Sequence, residues 1–239
     1  MQFFWTSDAA VRNFNGTHSI SSCHKLVGND TRKIIADGFP IEGVLASDIQ
    51  TSACVVTSYV RTSLTDLAEF WDLGHELFRS TPETFPVPFI TGDVFDPLIL
   101  EPVSPLSDTP KTAMPSLNTL SSLNPLRGYV SAIHASSFFH LFNEEKQFKL
   151  ARALAALLSP EPGSVIFGSH GGLPVKGTRM NSMGSVSFCH SPESWQKLWD
   201  GQIFEPGKVK VEVLLTRPER TDPDKVVERF LLVWSVTRL

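Results

Sequence analysis

A few side chains in this sequence have the types and spacing that chemistry needs. Asp48 closes the apolar run Gly43-Val44-Leu45-Ala46-Ser47, and Asp93 closes Phe89-Ile90-Thr91-Gly92. A carboxylate accepts two hydrogen bonds at once, so an aspartate at a strand end suits the paired hydroxyls of a ribose. At Asp93 the carboxylate can accept from an adenine amino group, while the next N–H, that of Val94, meets a ring nitrogen. The structural alternatives are a cap or turn carboxylate at Asp48 and Gly-Asp turn chemistry at Asp93. His134 opens the stretch His134-Ala135-Ser136-Ser137, His140 follows it, and His170 lies within Gly168-Ser169-His170-Gly171-Gly172. That glycine-rich run is similar to the oxyanion loop of some esterases, but the chain has no Gly-x-Ser-x-Gly elbow to go with it. The histidines lack the spacing of a zinc site, and no metal is expected.

These residues need elements to position them. Gly43 to Ile49 reads as a buried strand, and so do Pro86 to Asp93, Tyr129 to Ala135 and Ser164 to Gly168. Thr31 to Gly38 predicts a short helix ending at glycine. Leu64 to Phe78 carries apolar residues at helical spacing. Asn143 is placed to cap a helix running to Leu158, with Glu144 and Glu145 in its first turn. Ser191 opens another, through Trp199, with Pro192 at its first position. Residues 96–127 hold six prolines and many serines, which predicts a long loop with at most a short helix. Gly168 to Gly172 reads as a loop after its strand. Lys208 to Thr216 and Arg229 to Val236 predict a closing antiparallel hairpin. Strands alternating with helices give an α/β fold of the doubly wound kind, with ligands at the carboxyl ends of the strands. The expected site is therefore Asp48, Asp93, the His134 to Ser137 stretch and the Gly168 to Gly172 run.

Composition narrows the partners. The chain has 239 residues, 41% hydrophobic and 19% charged, which fits one globular domain over 1–239. Its formal net charge is -4 and no basic block stands out, so nucleic acid is not expected. No apolar run is long enough to cross a bilayer, and no secretory signal is read at the start. Cys23, Cys54 and Cys189 are odd in number and far apart, which predicts free thiols in a reducing, cytoplasmic compartment.

Several stretches resemble one family. Gly28-Asn29-Asp30-Thr31-Arg32-Lys33 with Ala36-Asp37-Gly38 resembles the helix after its first glycine motif. Gly43 to Asp48 resembles its ribose-binding strand, Glu69 to Phe78 the helix that follows, and Phe89 to Asp96 its adenine-side strand. The most specific pieces are Ile133-His134-Ala135-Ser136-Ser137-Phe138-Phe139-His140-Leu141-Phe142 and His190-Ser191-Pro192-Glu193-Ser194-Trp195-Gln196-Lys197-Leu198-Trp199. Together, across residues 28 to 200, they resemble the class I S-adenosylmethionine (AdoMet) dependent methyltransferases of fungal natural-product biosynthesis. The resemblance implies a Rossmann-like α/β fold, with a mixed, mostly parallel sheet and a C-terminal antiparallel hairpin. It implies AdoMet as cofactor, and methyl transfer to a carboxylate or hydroxyl of a polyketide, terpenoid or meroterpenoid. It places Gly28, Asp30, Asp48, Ile49, Asp93, Val94, His134 and Ala135 at the cofactor. His134 and His140 become the candidate bases, with His170 behind them, because a phenol or alcohol acceptor must lose a proton.

The pattern breaks twice. The glycine loop expected before Gly28 reads Ser22-Cys23-His24-Lys25-Leu26-Val27, and His24 stands where a glycine should admit the cofactor's methionine end. Residues 1–27 are otherwise polar and ill-defined. Thr51 to Ala68 also separates Asp48 from the Glu69 helix, where the family runs almost directly on. Translated non-coding sequence is one account of both breaks, and the mature transcript would test it. The alternative function is accordingly a methyltransferase-like protein that does not bind AdoMet productively: a pseudoenzyme, a binding partner or a protein in a cyclase-like role.

Overall fold

The computed structural model describes residues 44–47, 52–55, 72, 75–76, 79–84, 88–136, 138–180, 186–217 and 230–239. The predicted Thr31 to Gly38 helix lies outside them. So does most of the Leu64 to Phe78 helix, of which Asp72, His75 and Glu76 are helical.

Six strands form one mixed sheet: β1 (Val44–Ser47), β2 (Ser52–Val55), β3 (Ala132–His134), β4 (Val165–Gly172), β7 (Val209–Thr216) and β8 (Phe230–Arg238). Their spatial order is β2-β1-β3-β4-β8-β7. A separate two-stranded sheet pairs β5 (Gly177–Met180) with β6 (Val186–Cys189). The expectation of a mostly parallel sheet is corrected. Among the described strands the only parallel ladder is β3 with β4, and β1–β2, β1–β3, β4–β8 and β7–β8 are all antiparallel. The reason on one side is connection length. Only residues 48–51 separate β1 from β2, too few for the crossover that a parallel pair needs. On the other side β8 runs back between β4 and β7. The two predicted closing strands are both present and pair antiparallel, from Val209↔Arg238 to Thr216↔Leu231.

Two further expectations change, and one strand appears that was not expected. Pro86 to Asp93 forms no regular strand among its described residues, where Phe89 makes a single bridge. Thr51 to Val60, which carries no readable period, supplies β2. The Gly168 to Gly172 run is no loop: it is the second half of β4, paired in register with Phe230 to Trp234 of β8. Packing explains its glycines. A Cβ on Gly168 would stand 2.2 Å from the Ala135 carbonyl oxygen, and one on Gly172 would stand 2.9 Å from Leu232 Cβ. The chain is small there because neighbouring backbone passes close by.

Helix α1 (Glu144–Leu157) begins and ends where its sequence says it should. The Asn143 side chain accepts from the Lys146 N–H at 3.0 Å, and Glu144 and Glu145 sit in the first turn, where the helix dipole favours them. Its last two turns, Leu150 to Leu157, are buried except at Arg152. Helix α2 (Pro192–Trp199) starts with a full capping box, Ser191 and Ser194 bonding each other's backbone, and with Pro192 in the first turn. α2 places Trp195 and Trp199 in the core beside Phe139 and Trp234, in edge-on and stacked contacts 4.8 to 6.3 Å apart. Each fully buried aromatic contributes roughly 1.5–3 kcal/mol by leaving water.

Residues 96–127 contain only two 3-10 turns, Leu117–Thr119 and Asn124–Leu126, as the prolines predict. Asn124 holds this stretch together. Its side-chain NH₂ donates to the Pro97 and Leu98 carbonyls, and its side-chain oxygen accepts from the Glu101 N–H. The Arg238 guanidinium then ties the Leu106 carbonyl to β8 at 2.6 Å.

Candidate functional site

β3 and β4 run parallel at the middle of the sheet, so both carboxyl ends open on the same edge. His134 is the last residue of β3 and pairs across to Phe167 of β4. Its Nε2 lies 2.8 Å from the Ser136 hydroxyl, and that oxygen accepts the Ser169 N–H at 3.0 Å. The ring also leans on Phe167, with centroids 4.9 Å apart. His134 is half-buried, yet burial pulls its pKa down to about 4, so the imidazole is neutral at physiological pH. Ala135 follows, buried, with its N–H bonded to the Phe167 carbonyl at 2.8 Å. The segment from Ala135 to Ser136 is thus pressed onto β4, and Gly168 is what lets it come that close.

Asp93 sits in a turn. Its Oδ1 accepts the Phe95 N–H at 2.9 Å and its carbonyl accepts the Asp96 N–H at 2.9 Å. Its other carboxylate oxygen has no hydrogen-bond partner among the described residues, nor has the N–H of buried Val94. Gly28, Asp30, Asp48 and Ile49 lie outside the described residues.

His140 does not join His134. It stands on a 3-10 turn, Phe139–Leu141, beneath the β5–β6 pair, and β6 packs on that turn. Its Nδ1 is buried without a partner among the described residues. Burial first, and the charge of Arg179 second, hold its pKa below the usual histidine value. Further along β4, His170 is fully buried against Phe139, Trp195 and Trp234. Its Nδ1 accepts the Trp234 indole N–H at 3.0 Å, so its own proton resides on Nε2. Burial, then the neighbouring His140 and His190, keep it well below the ordinary range. That hydrogen bond and that packing make His170 part of the core.

Ser136 and Ser169, both inside stretches expected at the site, form a link between β3 and β4 that the sequence does not show. Two further residues had no role in the sequence reading. His190 is buried, 2.8 Å from Ser194 Oγ, with a pKa lowered to about 4 chiefly by burial. Arg179 on β5 faces Gly171 and His140. Its one sequence signal was modest: it follows Gly177-Thr178 in a stretch that alternates in exposure once it is folded as a strand. Among the described residues no group of histidine, cysteine and acidic side chains could hold a metal ion, and no helix is long and apolar enough to cross a membrane.

No profile of a known protein family matches the chain. Individual fungal methyltransferases of natural-product biosynthesis do, and the chain is similar to several of them over most of its length. An O-methyltransferase named phiE, from a fungal species (strain ATCC 74256), is 29% identical over 183 residues, covering 76% of this chain and 48% of the relative. Methyltransferase adrK of Penicillium rubens is 27% identical over 192 residues, 77% of this chain and 53% of that protein. The asnovolin E/chermesin D methyltransferase nvfJ of Aspergillus novofumigatus is 25% identical over 216 residues, 88% of this chain and 62% of its own length. The chain spans about half the length of the first of these relatives.

Proposed function

We propose that this chain carries an AdoMet-dependent methyltransferase activity that methylates an oxygen of a small fungal secondary metabolite. The carrying observation is its similarity, through the His134 and Asp93 regions alike, to proteins named as methyltransferases. The geometry of the described half agrees with it. The adenine end of a cofactor needs one acceptor and one donor side by side. The second carboxylate oxygen of Asp93 and the Val94 N–H are those two groups. His134 and Ala135, at the carboxyl end of β3, would flank the cofactor, and Gly28, Asp30, Asp48 and Ile49 complete the assignment from the sequence. Bound there, AdoMet supplies an electrophilic methyl group on a sulfonium.

The protein's own task is to hold the acceptor oxygen in line with that methyl and to keep water out. A carboxylate acceptor is already nucleophilic. A phenol or alcohol must give up its proton, and a neutral imidazole can take it. His134 and His140 are both neutral at physiological pH. In the His134 tautomer that donates its Nε2–H to Ser136, Nδ1 is the nitrogen left for that task.

Calorimetric titration with AdoMet tests the reading. Binding, weakened by Asp93→Ala, is the expected result, and an acceptor that gains the mass of one CH₂ establishes the reaction. His24 at the expected glycine position favours the second reading, a protein that keeps the fold without using the cofactor. Absence of heat at millimolar AdoMet would select that second reading for this polypeptide.

A further inference from the structure

Among the described residues nothing balances the charge of Arg179. Its Nε and Nη1 are buried with no hydrogen-bond partner among the described residues, and no described carboxylate pairs with it. His140 Nδ1, close enough for the guanidinium charge to act on it, is buried and unpartnered as well. Gly171 lies between them: a Cβ there would come within 2.7 Å of Arg179 Nη2 and 3.9 Å of His140 Cβ. The buried sulfur of Cys189 takes a hydrogen bond from the guanidinium but supplies little negative charge, because burial raises its thiol pKa. Two buried N–H donors left without an acceptor are disfavoured.

The scaffold holding this cluster is firm. Arg179 and Cys189 sit on paired strands, Gly177↔Cys189 to Met180↔Val186. The wholly buried Gln147 of α1 donates to both the Phe142 and the Phe188 carbonyls, tying the His140 turn to β6. Lys176 pairs with Glu144 at 2.7 Å on the outside, so the nearest cation of β5's approach is already satisfied.

We propose that Arg179 and His140, against the side-chain-free face of Gly171, form a subsite for a carboxylate of the methyl acceptor. A carboxylate takes a guanidinium bidentately through Nη2 together with either Nε or Nη1, and both Nε and Nη1 are without a partner among the described residues. The Nδ1 of His140 adds a third donor when the ring carries its proton on that nitrogen. One guanidinium beside a neutral imidazole balances a single negative charge, which fits a carboxylate better than a phosphate dianion. The inference rests on the methyl-transfer reading only for the origin of the carboxylate, because the donor cluster is there regardless.

Benzoate, with benzamide as its neutral counterpart, is the probe. Trp195 and Trp234 lie close by through His170 and Phe139, so intrinsic fluorescence of the full chain reads occupancy. Saturable quenching by benzoate and none by benzamide is expected. Arg179→Gln should weaken benzoate about tenfold or more, as loss of a charge-assisted pair does, with Arg179→Lys in between. Far-ultraviolet circular dichroism checks that each variant is folded. A benzoate affinity equal in wild type and Arg179→Gln, or no benzoate binding at millimolar concentration, would overturn the subsite. The source is tested with AdoMet and 5′-methylthioadenosine, which lacks the amino-acid carboxylate. If Arg179→Gln weakens the first and spares the second, the cluster serves the cofactor and the assignment to the acceptor falls. If it spares both, the acceptor assignment stands. A failure of AdoMet to bind at all, with benzoate binding intact, overturns the methyl-transfer reading and leaves the subsite in place.

Discussion

At the scale of single residues, the histidines act through what burial does to them. His134, His170 and His190 are all held below the ordinary value of 6.5, and for His134 and His190 the folded value is about 4. The unfolded chain takes protons on these rings as pH falls through 6.5, while the folded chain does not until about 4. Stability is therefore complete above 6.5 and declines between there and 4. Urea midpoints measured at pH 7.5 and at pH 5 should show the lower stability at pH 5. His190→Gln should shrink the gap between the two midpoints, and an unchanged gap would show that burial of this ring has no part in it. The placement of His134 at a strand end was legible from the sequence, because strand ends are where apolar runs stop at polar residues, whereas Asp93, read the same way, sits in a turn that follows no regular strand. Their partners were not legible. Ser136 meets His134 only because Ser169, on a different strand, holds it there, and Arg179 meets His140 only because β6 folds over the Phe139–Leu141 turn.

At the scale of elements, the helices are the part the chain writes most openly. Asn143, Ser191 and Pro192 mark their starts by short-range hydrogen bonding that needs no tertiary contact. Strands are written less openly. Ser52 to Val55 has no clean alternation and becomes a strand through its pairing with β1. The glycines of Gly168 to Gly172 look like loop chemistry, yet they are strand residues whose side chains are absent because Ala135 and Leu232 crowd them. Gly168→Ala puts this to a direct test. The added methyl would have to displace the Ala135 carbonyl, since backbone cannot rotate away as a flexible side chain can. A loss of roughly 1–3 kcal/mol is expected from such overpacking, read as a lower melting temperature. Gly163→Ala, where open space surrounds the position but the φ of +90° disfavours a side chain, separates crowding from backbone strain. Equal effects of the two substitutions would argue against crowding at Gly168.

At the scale of the whole molecule, the long Pro/Ser-rich stretch is attached at several points. Asn124 gathers Pro97, Leu98 and Glu101, and Arg238 reaches from the end of β8 to Leu106. Asn124→Ala should open the stretch to proteolysis between 97 and 127, while the sheet's circular-dichroism signal persists. Resistance equal to wild type would mean that Arg238 and the buried Leu100, Leu123 and Leu126 suffice to hold it. The position of β8 has a consequence of a different kind. It is the last of the described strands in the chain, yet it lies between β4 and β7. As the chain leaves the ribosome, β4 and β7 are both made before the strand that joins them. Until Phe230 to Arg238 emerges, β4 presents a row of open backbone donors and acceptors to whatever sticky strand is nearby. The nascent protein therefore has a vulnerable interval that closes only when Phe230 to Arg238 has been made.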